Sequence, residues 1–372
     1  MIDFEETHDI YLSESKQHFN DREAGFGVLL FIVLQIAVIW VARLLIYGLG
    51  IAYTSVFSQV FSVLIESVFA ICVYIICLRQ KKNFVKCVGL NKKVNGKLII
   101  ICVFIAIVCL FGLSQISNMF AEFLELIGYQ GSSSSINVET FWQLLLYTFL
   151  VALVPAVCEE IMFRGLVLNG LARNGKHLAV IVSALLFMLM HGSPDQTVHQ
   201  FILGLIFGYI VYYTGNLFLT IIIHFANNFI VLVINYIYNL TNISSGSGAS
   251  IVQIDLMSFI FSLLISIAII AIAIYLLIIE VRRVSYFSNK LNGQPEYLSP
   301  KYIEVLTKKT IVDARERDAQ QEEVADDKNV DIDVELDGST EKLSGKALAY
   351  IIISVAYLGI DWIKALINGI LR

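Results

Sequence analysis

Two adjacent carboxylates, Glu159 and Glu160, lie in an otherwise apolar stretch of the chain, and Arg164 follows one helical turn later. A charged side chain in the hydrocarbon of a bilayer costs about 2.5–3.5 kcal/mol on insertion scales, so it normally faces a protein interior or a watery cavity and marks a functional site. The four-residue spacing allows Arg164 to neutralise and orient Glu160. Glu159 points about 100° away around the helix, so we expect the two carboxylates to have different roles.

Two more apolar segments carry polar residues that could reach the same cavity. His191 ends one segment, with Phe187 one turn before it as a candidate cavity wall. His224 and Asn228 share one face of another helix because they are four residues apart. At 1.5 Å per residue from the same membrane face, the carboxylates lie about 16–18 Å deep, His191 about 20 Å, and the other two about 11–17 Å. The overlapping depths predict one intramembrane active site, open to the cytoplasm.

The composition is that of a polytopic membrane protein. Hydrophobic residues make up 57% of the chain, charged residues 15%, and the mean hydropathy is +0.75. Soluble domains have about 25% charged residues, so this chain lacks the polar surface that they need. The net charge of −5 is uneven, because residues 313–341 contain twelve acidic and three basic residues. No basic footprint for nucleic acid is present, and we expect no nucleic-acid partner.

Apolar runs long enough to cross a bilayer need about 20 residues, and several are present. We predict an all-α integral membrane protein, a bundle of about eight transmembrane helices, plus a C-terminal apolar helix that either spans the membrane or lies in its interface. Residues 79–97 include seven basic residues and no acidic one, so the positive-inside rule places this loop, the N-terminus and the acidic tail in the cytoplasm. The predicted organisation is a polar arm at 1–25, the membrane domain at 26–282, an acidic and disordered tail at 283–345, and the last helix at 346–372.

Some local features predict how the apolar segments pack. Pro155, just before the carboxylates, should kink its helix and free a backbone carbonyl near the site. Gly204 and Gly208 have the GxxxG spacing that permits close helix packing. Arg43 and Glu66 interrupt the first two apolar runs and are predicted to form an ion pair near their connecting turn. The alternative for these two charges is a role in the site.

The polar residues form three motifs that lie in order on separate apolar helices: Glu159-Glu160-x-x-x-Arg164, Phe187-x-x-x-His191 and His224-x-x-x-Asn228. Over about residues 140–235 they resemble the CPBP family of intramembrane endopeptidases, which includes CAAX proteases and bacteriocin-processing (Abi) proteins. The resemblance implies peptide-bond hydrolysis in the membrane, with Glu159 and His191 activating a water. It further implies that His224 and Asn228 donate to the developing oxyanion. Glu160 would polarise or position the site.

The resemblance leaves a second chemistry open, because the family is also described as metalloproteases. His191, His224 and Glu160 would then hold Zn²⁺. The HExxH spacing of soluble zinc proteases is absent, and we favour metal-independent glutamate catalysis with no cofactor.

The implied partners are membrane lipid and a protein or peptide substrate, either prenylated or a bacteriocin or pheromone precursor. We expect a multi-pass protein of a bacterial cell membrane, and a prokaryotic host argues against CAAX proteins as substrates. A rival function is a non-proteolytic self-immunity or peptide-binding protein that uses the same cavity. A transporter with a charged midplane site is a third alternative, but no internal repeat supports it.

Overall fold

The computed structural model describes residues 18–52, 55–131, 137–242, 264–265, 267–281 and 342–371, and all regular structure within these ranges is helical. Seven of the described helices are long and apolar enough to cross a membrane. The predicted all-α integral membrane fold is therefore confirmed. Almost all of the predicted acidic tail lies outside the described residues, and so does the start of the apolar run that precedes it.

The helices are named in chain order by their bounds. They are α1 (Asp21–Arg43, prolonged by the π-helical turn Leu44–Gly48), α2 (Ser55–Arg79), α3 (Phe84–Cys87), α4 (Gly96–Leu126), α5 (Phe141–Asn174), α6 (Lys176–Met190), α7 (Thr197–Thr214), α8 (Leu217–Asn242), α9 (Ile267–Val281) and α10 (Gly345–Ile370).

The count of seven crossing helices in the described residues is lower than the sequence predicts. Helix α6 has 15 residues, and a helix of that length rises about 22 Å, less than the hydrocarbon thickness of about 30 Å. Helix α9 is described only over Ile267–Val281. The crossing helices are α1, α2, α4, α5, α7, α8 and α10.

Contacts between helix ends define two sides of the bundle. Lys97 at the start of α4 pairs with Glu280 at the end of α9 at 2.7 Å. The backbone N–H of Ser344, before α10, donates to Asp21 at the start of α1 at 2.6 Å. We call this the basic side, because residues 79–97 lie on it, and the opposite one the far side. On the far side the N–H of Gln130 donates to the carbonyl of Gly369 at 2.8 Å. Helix α10 therefore runs the full height of the bundle, which favours the spanning alternative.

Polar contacts anchor the start of α1 on the basic side. Asn20 and Glu23 form a reciprocal capping box at its first turn. Lys82 pairs with Glu23 at 2.6 Å and donates to the carbonyl of His18 at 2.7 Å. Burial, with the nearby charges of Arg173 and Lys82, lowers the pKa of His18 to about 4. The imidazole is therefore neutral at physiological pH, where it can pack under these cations.

Helix α5 is irregular on both sides of its carboxylates. The segments Thr148–Leu153 and Ile161–Leu168 are π-helical, and Val154–Glu160 between them is α-helical. Pro155 has no N–H to donate to the carbonyl of Val151, four residues earlier. That carbonyl instead accepts a hydrogen bond from the Asn228 side chain at 3.4 Å. The prediction that Pro155 frees a carbonyl near the site agrees with this contact.

Helices α6 and α7 approach each other closely at the predicted glycines. A Cβ atom added to Gly204 would lie 2.9 Å from Ala184, and one added to Gly208 would lie 3.0 Å from Val180. This confirms the predicted close packing. The approach also brings the Gly204 carbonyl within 3.4 Å of the Arg164 guanidinium, so the glycine helps to build the site.

The predicted ion pair between Arg43 and Glu66 is wrong. The Arg43 guanidinium lies 5.5 Å from the ring centroid of Trp40 on its own helix, and the Glu66 carboxyl contacts Glu159. Depth explains the error. At the helical rise, Arg43 is about 8 Å from Gly48 at one side of the turn, whereas Glu66 is about 16 Å along α2.

Candidate active site

Phe187 of α6 lies at the centre of the candidate site and is fully buried. Its ring centroid is 4.9 Å from the ring of His191 and 6.0 Å from that of His224, in edge-to-face arrangements. The Arg164 guanidinium lies 4.3 Å from the same centroid, which is a cation–π distance. The ring therefore forms a wall shared by the predicted polar residues, as its position one turn before His191 suggests.

Glu160 and Arg164 form a fully buried ion pair. Arg164 Nη1 donates to Glu160 Oε1 at 2.7 Å, and both side chains are 0% exposed. The guanidinium also lies 5.2 Å from the ring centroid of Phe207 on α7. The i,i+4 pairing that the sequence predicts is confirmed. A buried charge needs such compensation, because desolvation costs several kcal/mol per ion.

The His224 imidazole lies between the two carboxylates of α5. Its Nδ1 atom is 3.3 Å from Glu160 Oε1, and its Nε2 atom is 3.8 Å from Glu159 Oε2. Arg164 holds Glu160 but not Glu159. The two adjacent glutamates thus have different surroundings, as their angular separation predicts, and His224 from α8 is in contact with both.

The Glu159 carboxyl keeps acceptor capacity that the protein does not use. Its Oε2 atom and that of Glu160 are buried, and neither has a hydrogen-bond partner among the described residues. Buried carboxylate oxygens normally accept hydrogen bonds from protein or from water. These oxygens can therefore accept hydrogen bonds from a reacting water or a substrate.

His191 ends α6 and has a fixed ring orientation. Its Nδ1 atom lies 2.9 Å from the carbonyl of Phe187, which is an acceptor only, so Nδ1 carries the hydrogen. In the neutral ring Nε2 is then a free acceptor. No hydrogen bond or ion pair joins His191 to Glu159 among the described residues. The imidazole in contact with Glu159 is that of His224, which differs from the pairing that the resemblance implies.

A cavity of about 240 Å³ begins at the residue after His191. It lies on the far side of the bundle, where Gly192 turns the chain with a φ of +59°. The predicted opening toward the basic side therefore gains no support from this cavity. Its lining comes from the segments after α4 and α6 and from the end of α10: Tyr129, Gln130, Gly192, Ser193, Pro194, Ala365, Asn368 and Gly369.

The predicted site residues differ in how closely they contact one another. His224 lies against both Glu159 and Glu160, and Arg164 and Phe187 support this group. His191 joins this group through the Phe187 ring. Asn228 lies one turn beyond His224 and contacts the backbone of α5. Three separate helices thus bring their polar residues to one place.

Glu66 of α2 belongs to this group, a role that the sequence offered only as the alternative to an ion pair with Arg43. Its carboxyl lies within hydrogen-bonding reach of Glu159, and its Oε2 atom is buried and accepts from no donor group among the described residues. A carboxylate in an apolar helix was the available signal. The predicted ion pair with Arg43 took precedence over this position of Glu66 in the site.

The predicted zinc ligands do not form a ligand set. Nowhere in the part of the chain that the structure describes do three His, Cys, Asp or Glu side chains group as metal ligands. His191 lies against the Phe187 ring, and the facing atoms of His224 and Glu160 contact each other. The arrangement therefore does not fit a zinc ion held by His191, His224 and Glu160.

Residues 141–230 match the family model described as "Rce1-like: Type II CAAX prenyl endopeptidase Rce1-like". The matched segment starts at α5, ends within α8, and contains all three motifs. The family predicted from those motifs is thereby confirmed for this segment. Neither the curated proteins nor the solved structures gave a match.

Proposed function

We propose, from the type II CAAX prenyl endopeptidase family to which residues 141–230 belong, that this protein is an intramembrane endopeptidase. It hydrolyses a peptide bond of a membrane-associated or lipidated protein or peptide. The observation that supports this most directly is the position of His224 between Glu159 and Glu160. General acid–base chemistry needs its groups close to one another, and His224 lies 3.3 Å from Glu160 and 3.8 Å from Glu159 inside the bundle.

Glu159 is the general base in the proposed mechanism. Its unpartnered oxygen takes a proton from a water molecule, and the water oxygen attacks the carbonyl carbon of the substrate peptide bond. His191 accepts a second hydrogen bond from that water at Nε2, because its Nδ1 atom is engaged by the carbonyl of Phe187. The bond between water oxygen and carbonyl carbon forms as the proton reaches Glu159.

The doubly protonated His224 ring, with Nδ1–H directed to Glu160 and Nε2–H free to donate, and the Asn228 amide stabilise the negative charge that develops on the substrate carbonyl oxygen. Arg164 holds Glu160, and Glu160 in turn fixes the His224 ring through Nδ1. The tetrahedral intermediate collapses when the C–N bond breaks. Glu159 then gives its proton to the departing amine nitrogen, which restores the carboxylate and completes the hydrolysis.

The substrate class follows from the membrane setting. A bond that is cleaved beside buried carboxylates must be brought into the bundle, which favours chains held in the bilayer by a prenyl group or by their own apolar residues. The cavity of about 240 Å³ beside Gly192 offers room for a short stretch of such a chain next to His191. The two substrate types are a prenylated C-terminal peptide and a bacteriocin or pheromone precursor.

Substitution of the base tests the proposal. Glu159→Gln should lower the rate of cleavage at least about 100-fold, because one general acid–base group contributes about 10²–10⁴-fold. His224→Gln should have a similar effect, because one oxyanion donor contributes about 10²–10³-fold. The substrates are an internally quenched farnesylated peptide and, by mass spectrometry, the proteins of membranes that contain the enzyme. Glu139→Gln is the control, since Glu139 is an exposed carboxylate outside the site.

Normal chromatographic behaviour and Tm must accompany the loss of cleavage. Full activity of Glu159→Gln would refute the general-base role. Loss of activity on chelation, with recovery on adding Zn²⁺, would replace it by a metal mechanism. Protection against a bacteriocin that survives in both glutamine variants, without cleavage by the wild type, would support a peptide-binding protein instead.

A further inference from the structure

Glu66 brings a third carboxyl group to the site from a helix outside the matched segment. Two side-chain contacts between α2 and α5 bracket it. Gln59 donates to the Tyr147 hydroxyl at 2.9 Å, and the rings of Phe69 and Phe163 are 5.4 Å apart. Both helices run from the far side to the basic side, so Glu66 between these contacts lies at the depth of the α5 carboxylates.

The Glu66 carboxyl contacts Glu159 and no described cation. The two carboxyls lie within hydrogen-bonding reach of each other, and they can form a hydrogen bond only while one of them carries a proton. The cluster contains three glutamates, Glu66, Glu159 and Glu160. Among the described residues it contains a single guanidinium, that of Arg164. Buried charges of like sign that touch cannot both ionise, so a shared proton removes one uncompensated negative charge.

We propose that Glu66 is a positioning residue that holds the Glu159 carboxyl in its reactive orientation. This deepens the proposed function and rests on it. Glu160 is oriented by Arg164, but Glu159 is 3.8 Å from His224, too far for a firm hydrogen bond. The bond from Glu66 supplies what His224 does not. The Oε2 atoms of both carboxyls are buried and accept a hydrogen bond from no donor group among the described residues, so a proton on Glu66 is the donor within reach of Glu159, and the other lone pairs of Glu159 remain open to the water.

Kinetics of two Glu66 variants test this role with the quenched farnesylated peptide. Glu66→Leu should lower kcat about 10–100-fold with KM within about threefold, because substrate binding does not use this residue. Glu66→Gln should restore kcat to within about threefold of wild type, since an amide can donate to Glu159. Gln59→Leu is the matched control: it removes another contact between α2 and α5 without touching Glu159.

Unchanged kcat in Glu66→Leu would overturn the proposal. Equal losses in Glu66→Leu and Gln59→Leu would also overturn it, because they would show that only the packing of α2 on α5 matters. A loss of kcat in Glu66→Leu that Glu66→Gln does not restore would also overturn the proposal.

A double-mutant cycle of thermal unfolding tests the contact between Glu66 and Glu159 without an activity measurement. Glu66→Leu should lower Tm in the wild type, because it leaves the buried Glu159 carboxyl unpaired. In a Glu159→Leu background the same change should leave Tm unchanged or raise it, because it removes a carboxyl that has already lost its partner. An equal Tm change in both backgrounds would overturn the proposal. If the wild-type protein cleaves no peptide, the proposed function is refuted. The Tm cycle still tests the contact between Glu66 and Glu159 in that case.

Discussion

Arg164 shows how one fully buried charge is accommodated in this protein. Its guanidinium pairs with Glu160 at 2.7 Å and lies against the faces of Phe187 and Phe207. Guanidinium is more weakly hydrated than ammonium and stacks on aromatic rings, so lysine would not replace it. The same side chain also orients Glu160, which contacts His224. Arg164 therefore compensates a buried charge and, in the proposed mechanism, also orients the group that holds His224.

Removal of the guanidinium should destabilise the fold strongly. Arg164→Met leaves Glu160 as an uncompensated buried charge, and breaking a buried pair in this way costs about 3–5 kcal/mol. We expect a large fall in Tm and in the yield of monodisperse protein in detergent. The double variant Glu160→Leu with Arg164→Met should recover most of the Tm, because it removes both charges. Equal instability of the single and double variants would show that the stacked ring contacts, and not the charge pair, maintain the fold.

The parts of the site that the sequence predicts are those set by local helix geometry. The pair Glu160–Arg164 follows from a four-residue spacing, and contact between them needs no knowledge of other helices. Contact between Glu66 and Glu159 depends on how α2 is rotated and how deeply it lies beside α5. An apolar helix in lipid carries no polar face to indicate that rotation, so the sequence favoured Arg43 as the nearer partner in the chain.

The apolar length of each segment predicted the helices and Pro155 predicted a freed carbonyl, but the π-helical segments of α5 were not predicted. The π-helical segments Thr148–Leu153 and Ile161–Leu168 flank the carboxylates. A π-helical turn accommodates an extra residue without a compositional signature, and it occurs often at functional sites. The early end of α6, which has His191 as its C-cap, agrees with the predicted end of that apolar segment at His191. That early end gives the site a histidine at a helix terminus and the cavity beside it.

Helix α10 should be sensitive to bulk at one glycine and insensitive at another. A Cβ atom on Gly369 would overlap the ring of Tyr129 and lie 3.1 Å from the carbonyl of Gln130, whereas nothing lies within 4 Å of a Cβ atom on Gly359. Gly369→Val should lower the free energy of unfolding by about 1–3 kcal/mol, the usual cost of overpacking. Thermal unfolding in detergent measures it, with Gly359→Val as the matched control. Equal Tm values for the two variants would show that this end of α10 does not pack as described.

In the molecule as a whole, the helix ends and loops lie on two sides that differ in the charge of their contacts. The basic side has residues 79–97 and the contacts Lys97–Glu280 and Lys82–Glu23. The far side has the asparagine contact between Asn239 and Asn137 and the pairing of Gln130 with Gly369. Charged anchors on one side and mainly neutral hydrogen bonds on the other match the charge bias that orients membrane proteins. This bias predicts that the basic side is cytoplasmic.

Labelling of single cysteines on the two sides tests that orientation. Lys93 and Glu139 are both exposed, and they lie on the basic side and the far side respectively. With a membrane-impermeant maleimide, Glu139→Cys should react in intact cells and Lys93→Cys only after permeabilisation, because seven basic residues in 79–97 retain that loop in the cytoplasm. The native cysteines are partly or fully buried, so the unmodified chain serves as the control for background labelling. The reverse pattern would contradict the orientation. It would also turn the cavity beside His191 from the external face to the cytoplasm, and a substrate would then have to reach the site from the cytoplasmic leaflet.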